Sequence, residues 1–120
     1  MFARLATPIA IGAIALAALS VSAPAIAALD DSAAMSLLKK NDCTKCHAMD
    51  KSKKGPSYKK ISAKYKEDKH KVGAADKLMK HLTSSPKVKL DDGSEEDHKA
   101  LELSKPVIGE LVQWILDIKQ

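Results

Sequence analysis

Aromatic side chains are nearly missing from this chain: one tryptophan, two tyrosines and one phenylalanine in 120 residues. The phenylalanine, Phe2, lies at the extreme N-terminus, so Tyr58, Tyr65 and Trp114 are all that remain to build a core. Cysteine is equally scarce. Cys43 and Cys46 are separated by two residues, and a bridge between them cannot tie distant parts of a chain together. A domain this small usually needs a disulfide framework, a metal or a cofactor to be stable. With the framework excluded, a bound group is expected to fill the middle of the fold.

Other absences narrow the function. There is no Gly-rich phosphate loop, no nucleic-acid module and no interleaving of aromatic with basic residues, so no nucleic-acid partner is expected. No second pair of ligands stands at zinc-site spacing, because His70 and His81 are too far apart. No βαβ pattern surrounds the cysteines, which argues against a thioredoxin-like redox pair.

What is present begins with a leader. Arg4 gives a basic start, an apolar Ala-rich run follows from Ile9 to Val21, and Ala25-Ile26-Ala27 has the small-x-small pattern of signal-peptidase sites. A retained membrane anchor would need about 18 uninterrupted apolar residues. Pro8, Ser20, Ser22 and Pro24 interrupt this run. The expected organisation is a cleaved signal peptide at residues 1–27 and one domain at 28–120, exported to the periplasm with no anchor left.

Four helices are predicted within that domain. The first starts at a Ser32 cap and runs to about Lys40, with Ala34, Leu37 and Leu38 on one face. The second follows Gly55-Pro56-Ser57 and aligns Tyr58, Ile61 and Tyr65. The third aligns Ala75, Leu78, Met79 and Leu82. The last takes Pro106 in its first turn and runs to about Ile118, with a broad apolar face around Leu111, Trp114 and Ile115. Between the last two lies a long segment, 84–104, in which Asp92-Gly93 is placed to turn a hairpin between Val88–Leu90 and Ala100–Leu103.

The chemistry is concentrated in Cys43-Thr44-Lys45-Cys46-His47, the pattern of c-type haem attachment. Two thiols at this spacing can add to the two vinyl groups of one haem. The residue after them is then held beneath the iron, where imidazole is a good ligand.

The domain resembles the small class I cytochromes c of bacteria. A short helix leads into Cys43–His47, then Lys54-Gly55-Pro56-Ser57-Tyr58 looks like the family's Gly-Pro-x-Tyr segment, and an aromatic-bearing helix closes the chain. The resemblance implies an all-α fold of about four helices around one covalent haem c. It implies that the first and last helices cross, and that the Pro56 carbonyl accepts the Nδ1–H of His47, the proximal ligand.

One part of the family pattern is broken. The distal ligand is usually a methionine in the loop before the last helix, and no methionine occurs between Lys80 and Gln120. His98, 16 residues before Trp114, stands at about the methionine position. It is the preferred distal ligand; His81, Met79, water or an open site are the alternatives. His70, between two lysines, reads as solvated.

Charge is uneven as well. From Lys39 to Lys80 there are 14 lysines against five acids, whereas from His81 to Gln120 five lysines face eight acids. A basic excess of this kind suits docking to redox proteins with an acidic surface. The expected function is single-electron transfer outside the cytoplasm by a bis-histidine haem, not enzymatic turnover. The alternatives are a haem protein that binds a small ligand or cleaves peroxide, and a haem subunit of a larger redox complex.

Overall fold

The computed structural model describes residues 28–120; the leader and cleavage site expected from the sequence fall outside the described residues. Five α-helices and one small hairpin make up the domain: α1 (Asp31–Lys40), α2 (Tyr58–Lys66), α3 (Asp68–Lys71), α4 (Ala74–Thr83), β1 (Lys87–Lys89), β2 (Glu95–Asp97) and α5 (Lys105–Leu116). The expected all-α class holds, and no helix among the described residues is long and apolar enough to cross a membrane.

The helices start where local chemistry permits. The cap of α1 is Asp30, not Ser32: its carboxylate accepts the Ala33 N–H at 2.7 Å. An acidic side chain there satisfies an orphan amide and complements the positive end of the helix dipole. Ser57 caps α2 by accepting the Lys60 N–H. α4 follows Gly73, whose φ of 67° suits a residue without Cβ. Ser104 precedes α5, and Pro106 sits in its first turn, where no amide donor is needed.

α5 is the hub. Ile108, Leu111, Val112, Trp114 and Ile115 are buried on it, and it packs against α2 and α4. Trp114 Nε1–H donates to the Asp31 carboxylate at 2.9 Å and so ties α5 to α1. Ser62, fully buried on α2, donates to the carbonyls of Leu116 and Ile118, and Lys66 Nζ reaches the Ile118 carbonyl at 2.7 Å. α2 thereby satisfies carbonyls at the end of α5 that its own ladder leaves free.

The hairpin forms, but its second strand is earlier than expected. β1 pairs antiparallel with Glu95–Asp97 rather than with Ala100–Leu103. The cause is a tight turn: Gly93 takes φ 86°, Asp92 accepts the Ser94 N–H, and Leu90 N–H closes onto the Ser94 carbonyl at 2.8 Å. The chain therefore reverses at once. Three acidic residues make a poor strand on propensity alone. Opposite charge across the ladder offsets this, with Lys87 facing Asp97 and Lys89 facing Glu95. Leu101, freed from the hairpin, is buried in the core and donates its N–H to the Leu82 carbonyl.

Candidate haem site

The helices leave a cavity of ≈780 Å³ open on one side. That is within the roughly 300–1,000 Å³ typical of cofactor sites. Leu38, Ile61, Leu78, Leu101, Leu111 and Ile115 contribute apolar walls from α1, α2, α4, α5 and the segment before α5.

One wall is the attachment motif. Asp42 turns the chain out of α1 with a left-handed φ of 62°, and Cys43–Lys45 continue as a single 3-10 turn. This turn brings Cys43, Cys46 and His47 all onto the cavity lining. The two cysteines form no disulfide with each other, and burial pushes the Cys43 thiol above its ordinary pKa.

His47 is held by the loop on its C-terminal side. Its Nδ1 lies 2.6 Å from the Pro56 carbonyl. A carbonyl can only accept, so Nδ1 carries the proton and Nε2 keeps its lone pair for a metal. Burial lowers the pKa of the ring, against the opposing pull of that hydrogen bond, and favours the neutral imidazole that can ligate. Gly55 explains itself here. A Cβ at that position would stand 2.7 Å from His47 Cε1, nearer than packed carbons come. Any larger residue would push the ring out of place. The motif's glycine is needed for space, a role that sequence spacing did not expose.

His98 also lines the cavity. Its backbone N–H donates to the Pro86 carbonyl at 2.8 Å, and its Nδ1 lies 3.0 Å from the Lys99 carbonyl. The carbonyl can only accept, so Nδ1 of His98 is the donor, and its Nε2 has no hydrogen-bond partner among the described residues. The two imidazole centroids are 6.2 Å apart. Lys99 also reaches across to Asp42 at 3.4 Å, linking the His98 segment to the start of the cysteine turn.

The remaining candidates are placed differently. His81 lines the cavity from α4, beside His98 and with its centroid 4.7 Å away, too close for a metal between them. Met79 is partly buried against the core, near Gly109 of α5. His70 is not solvated as expected: it is half-buried, lines the cavity and packs edge-on to Tyr65 at 6.4 Å.

These residues fit a haem. The cavity has the size and apolar lining, two thiols and an imidazole line it together, and a second imidazole lies 6.2 Å from the first. Tyr58, buried on the lining and packed against both His47 and Trp114, holds a hydroxyl with no partner among the described residues. An orphaned buried hydroxyl costs about 1–3 kcal/mol unless a bound group supplies its partner.

No protein-family model and no curated protein sequence matches the chain. Solved structures do. A class 1 cytochrome, MtoD from Sideroxydans lithotrophicus ES-1, is 47% identical with a TM-score of 0.67, over 74% of this chain and 96% of that one. Cytochrome c552 of Nitrosomonas europaea is 29% identical with a TM-score of 0.54, over 71% of this chain and 99% of that one. Identity at the first level, sustained across almost all of the other protein, settles the family: the chain belongs to the class I cytochromes c, haem-based electron carriers.

Proposed function

We propose that the protein is an exported monohaem electron carrier whose iron is ligated by His47 on one side and His98 on the other. The observation that carries this reading is the pairing of the two rings. Each has its Nδ1 tied to a backbone carbonyl and its Nε2 free. Were one metal ion to sit between the two Nε2 atoms, bonds of about 2 Å on each side, with roughly 1 Å from each nitrogen to its ring centre, would set the centroids about 6 Å apart. In the structure they lie 6.2 Å apart.

A haem held here supplies one reversible electron, and the rest is work for the chain. Cys43 and Cys46 make the attachment permanent. The Pro56 carbonyl fixes the His47 ring and strengthens it as a donor. The apolar walls limit water around the iron. Were His47 and His98 both to hold the iron, no substrate would reach it without displacing one of them, which would favour electron transfer over ligand binding or peroxide chemistry. Two imidazoles hold the potential below that of a His/Met pair. Glu96 and Asp97 stand on the His98 side and favour the ferric charge in the same direction, although Asp97 is partly offset by Lys87 at 3.1 Å.

Low-temperature electron paramagnetic resonance of the oxidised holoprotein tests the assignment. A single low-spin species of bis-imidazole type is expected, with slow binding of carbon monoxide after reduction. A high-spin signal with fast binding would favour the small-ligand reading instead.

The partner is a redox protein with an acidic docking surface. Lysines crowd the loop 51–54, α2 and α3, while the cavity mouth itself is mixed, with Lys60, Lys64 and Lys69 set among Glu67, Asp42 and Glu96. The basic face would steer encounter through a field that salt screens over about 8–10 Å. Second-order electron-transfer rates with an acidic redox protein should fall steeply as ionic strength rises from about 10 mM to about 500 mM; a flat profile would remove the steering role.

A further inference from the structure

On the reading that His98 ligates the iron, we infer that His81 is a positioning residue: its ring, set edge-on against His98, fixes the plane of the distal imidazole. The rings are 4.7 Å apart at 64°, the edge-to-face geometry that aromatic pairs prefer. Among the described residues His81 is the ring nearest to His98.

The two ligands are not held equally. His47 is restrained by a carbonyl nine residues away, across a closed loop, at 2.6 Å. His98 has only the carbonyl of its own neighbour, Lys99, at 3.0 Å in an exposed segment. That bond selects the tautomer but restrains the ring weakly, because donor and acceptor move together. A second constraint must come from outside the segment, and α4 supplies it. Leu101 N–H donates to the Leu82 carbonyl near the end of the helix that carries His81, and His98 N–H to the Pro86 carbonyl just beyond that helix, each at 2.8 Å. Both rings line the same cavity. On this reading His98, 6.2 Å from His47, is the ligand, and His81, 4.7 Å from His98, packs behind it without binding the metal.

The consequence is spectroscopic. The relative orientation of two planar axial ligands sets the splitting of the ferric d orbitals, and the low-spin g values report it. Two variants of the holoprotein separate ring packing from mere volume. His81→Leu keeps bulk without a ring, and His81→Phe keeps the ring without nitrogens. The leucine variant should stay low-spin, with its largest g value shifted and the line broadened as the distal ring samples more orientations. The phenylalanine variant should bring the signal back to the unsubstituted position and width. A leucine spectrum that superimposes on that of the unsubstituted protein overturns the inference. So does a phenylalanine spectrum shifted as far as the leucine one, since the nitrogens and not the ring would then matter. A high-spin leucine variant also overturns it, by making His81 a ligand. His98→Ala, recorded alongside, isolates the underlying assignment: if that spectrum is unchanged, the axial reading fails, whatever the His81 variants show.

Discussion

A chain carrying both Cys43→Ser and Cys46→Ser is expected to leave its haem behind on a denaturing gel and to lose most of its cooperative unfolding. Each single substitution leaves one thiol and should weaken retention rather than abolish it. The reason for the structural collapse is the size of the void. Residual cavities destabilise by about 24 cal/mol per Å³ in well-packed cores. The ≈780 Å³ here would extrapolate to far more than the roughly 5–15 kcal/mol by which small domains are stable. The cavity is open on one side, so water relieves part of that cost. The core has little to set against it: of the three aromatics, only Tyr58 and Trp114 are buried. Far-ultraviolet circular dichroism with a urea titration measures the effect. A haem-free double variant with native helicity and a sharp transition would show that the polypeptide holds its shape unaided.

How legible this was from sequence differs from part to part. The cysteine motif was legible as a pattern because it is local: five consecutive residues contain both proposed anchors and the proposed proximal imidazole, and the fold sets all three on one cavity. The helical faces were legible for a similar reason, since Leu78 and Met79 on α4 or Leu111 and Ile115 on α5 repeat at the helical period. Features made by distant residues were not legible. Ser62 reads as an ordinary polar position, yet it is fully buried because its hydroxyl meets carbonyls more than fifty residues away. The Asp31–Trp114 bond spans 83 residues and has no periodicity to announce it. β2 failed for another reason. Its Glu-Glu-Asp sequence contradicts strand propensity, and only the lysines facing it make the pairing tolerable. His70 was misjudged from its lysine neighbours, because local charge says nothing about which face of a short helix meets a cavity.

Removing the distal imidazole should produce the largest functional change. His98→Ala is expected to turn the iron from low to high spin and to admit carbon monoxide rapidly. The magnitude depends on the population of the open site. If His98 is bound in about 99 molecules of 100, apparent affinity for an external ligand is reduced about 100-fold, and deleting the side chain removes that factor. The backbone should tolerate the change: the mooring of the segment to Pro86 and Leu82 runs through main-chain atoms that alanine retains. His98→Met places a thioether in the same segment and should raise the potential if sulfur reaches the iron. His81→Ala, by contrast, should leave the iron low-spin, because the His98 bonds to Pro86 and Lys99 do not involve it. Optical spectra of the three holoproteins, with and without carbon monoxide, read these outcomes. The reverse pattern, with His81→Ala opening the iron and His98→Ala leaving it closed, would move the distal ligand from the loop to α4. It would also make the 6.2 Å pairing of His47 with His98 a coincidence of packing.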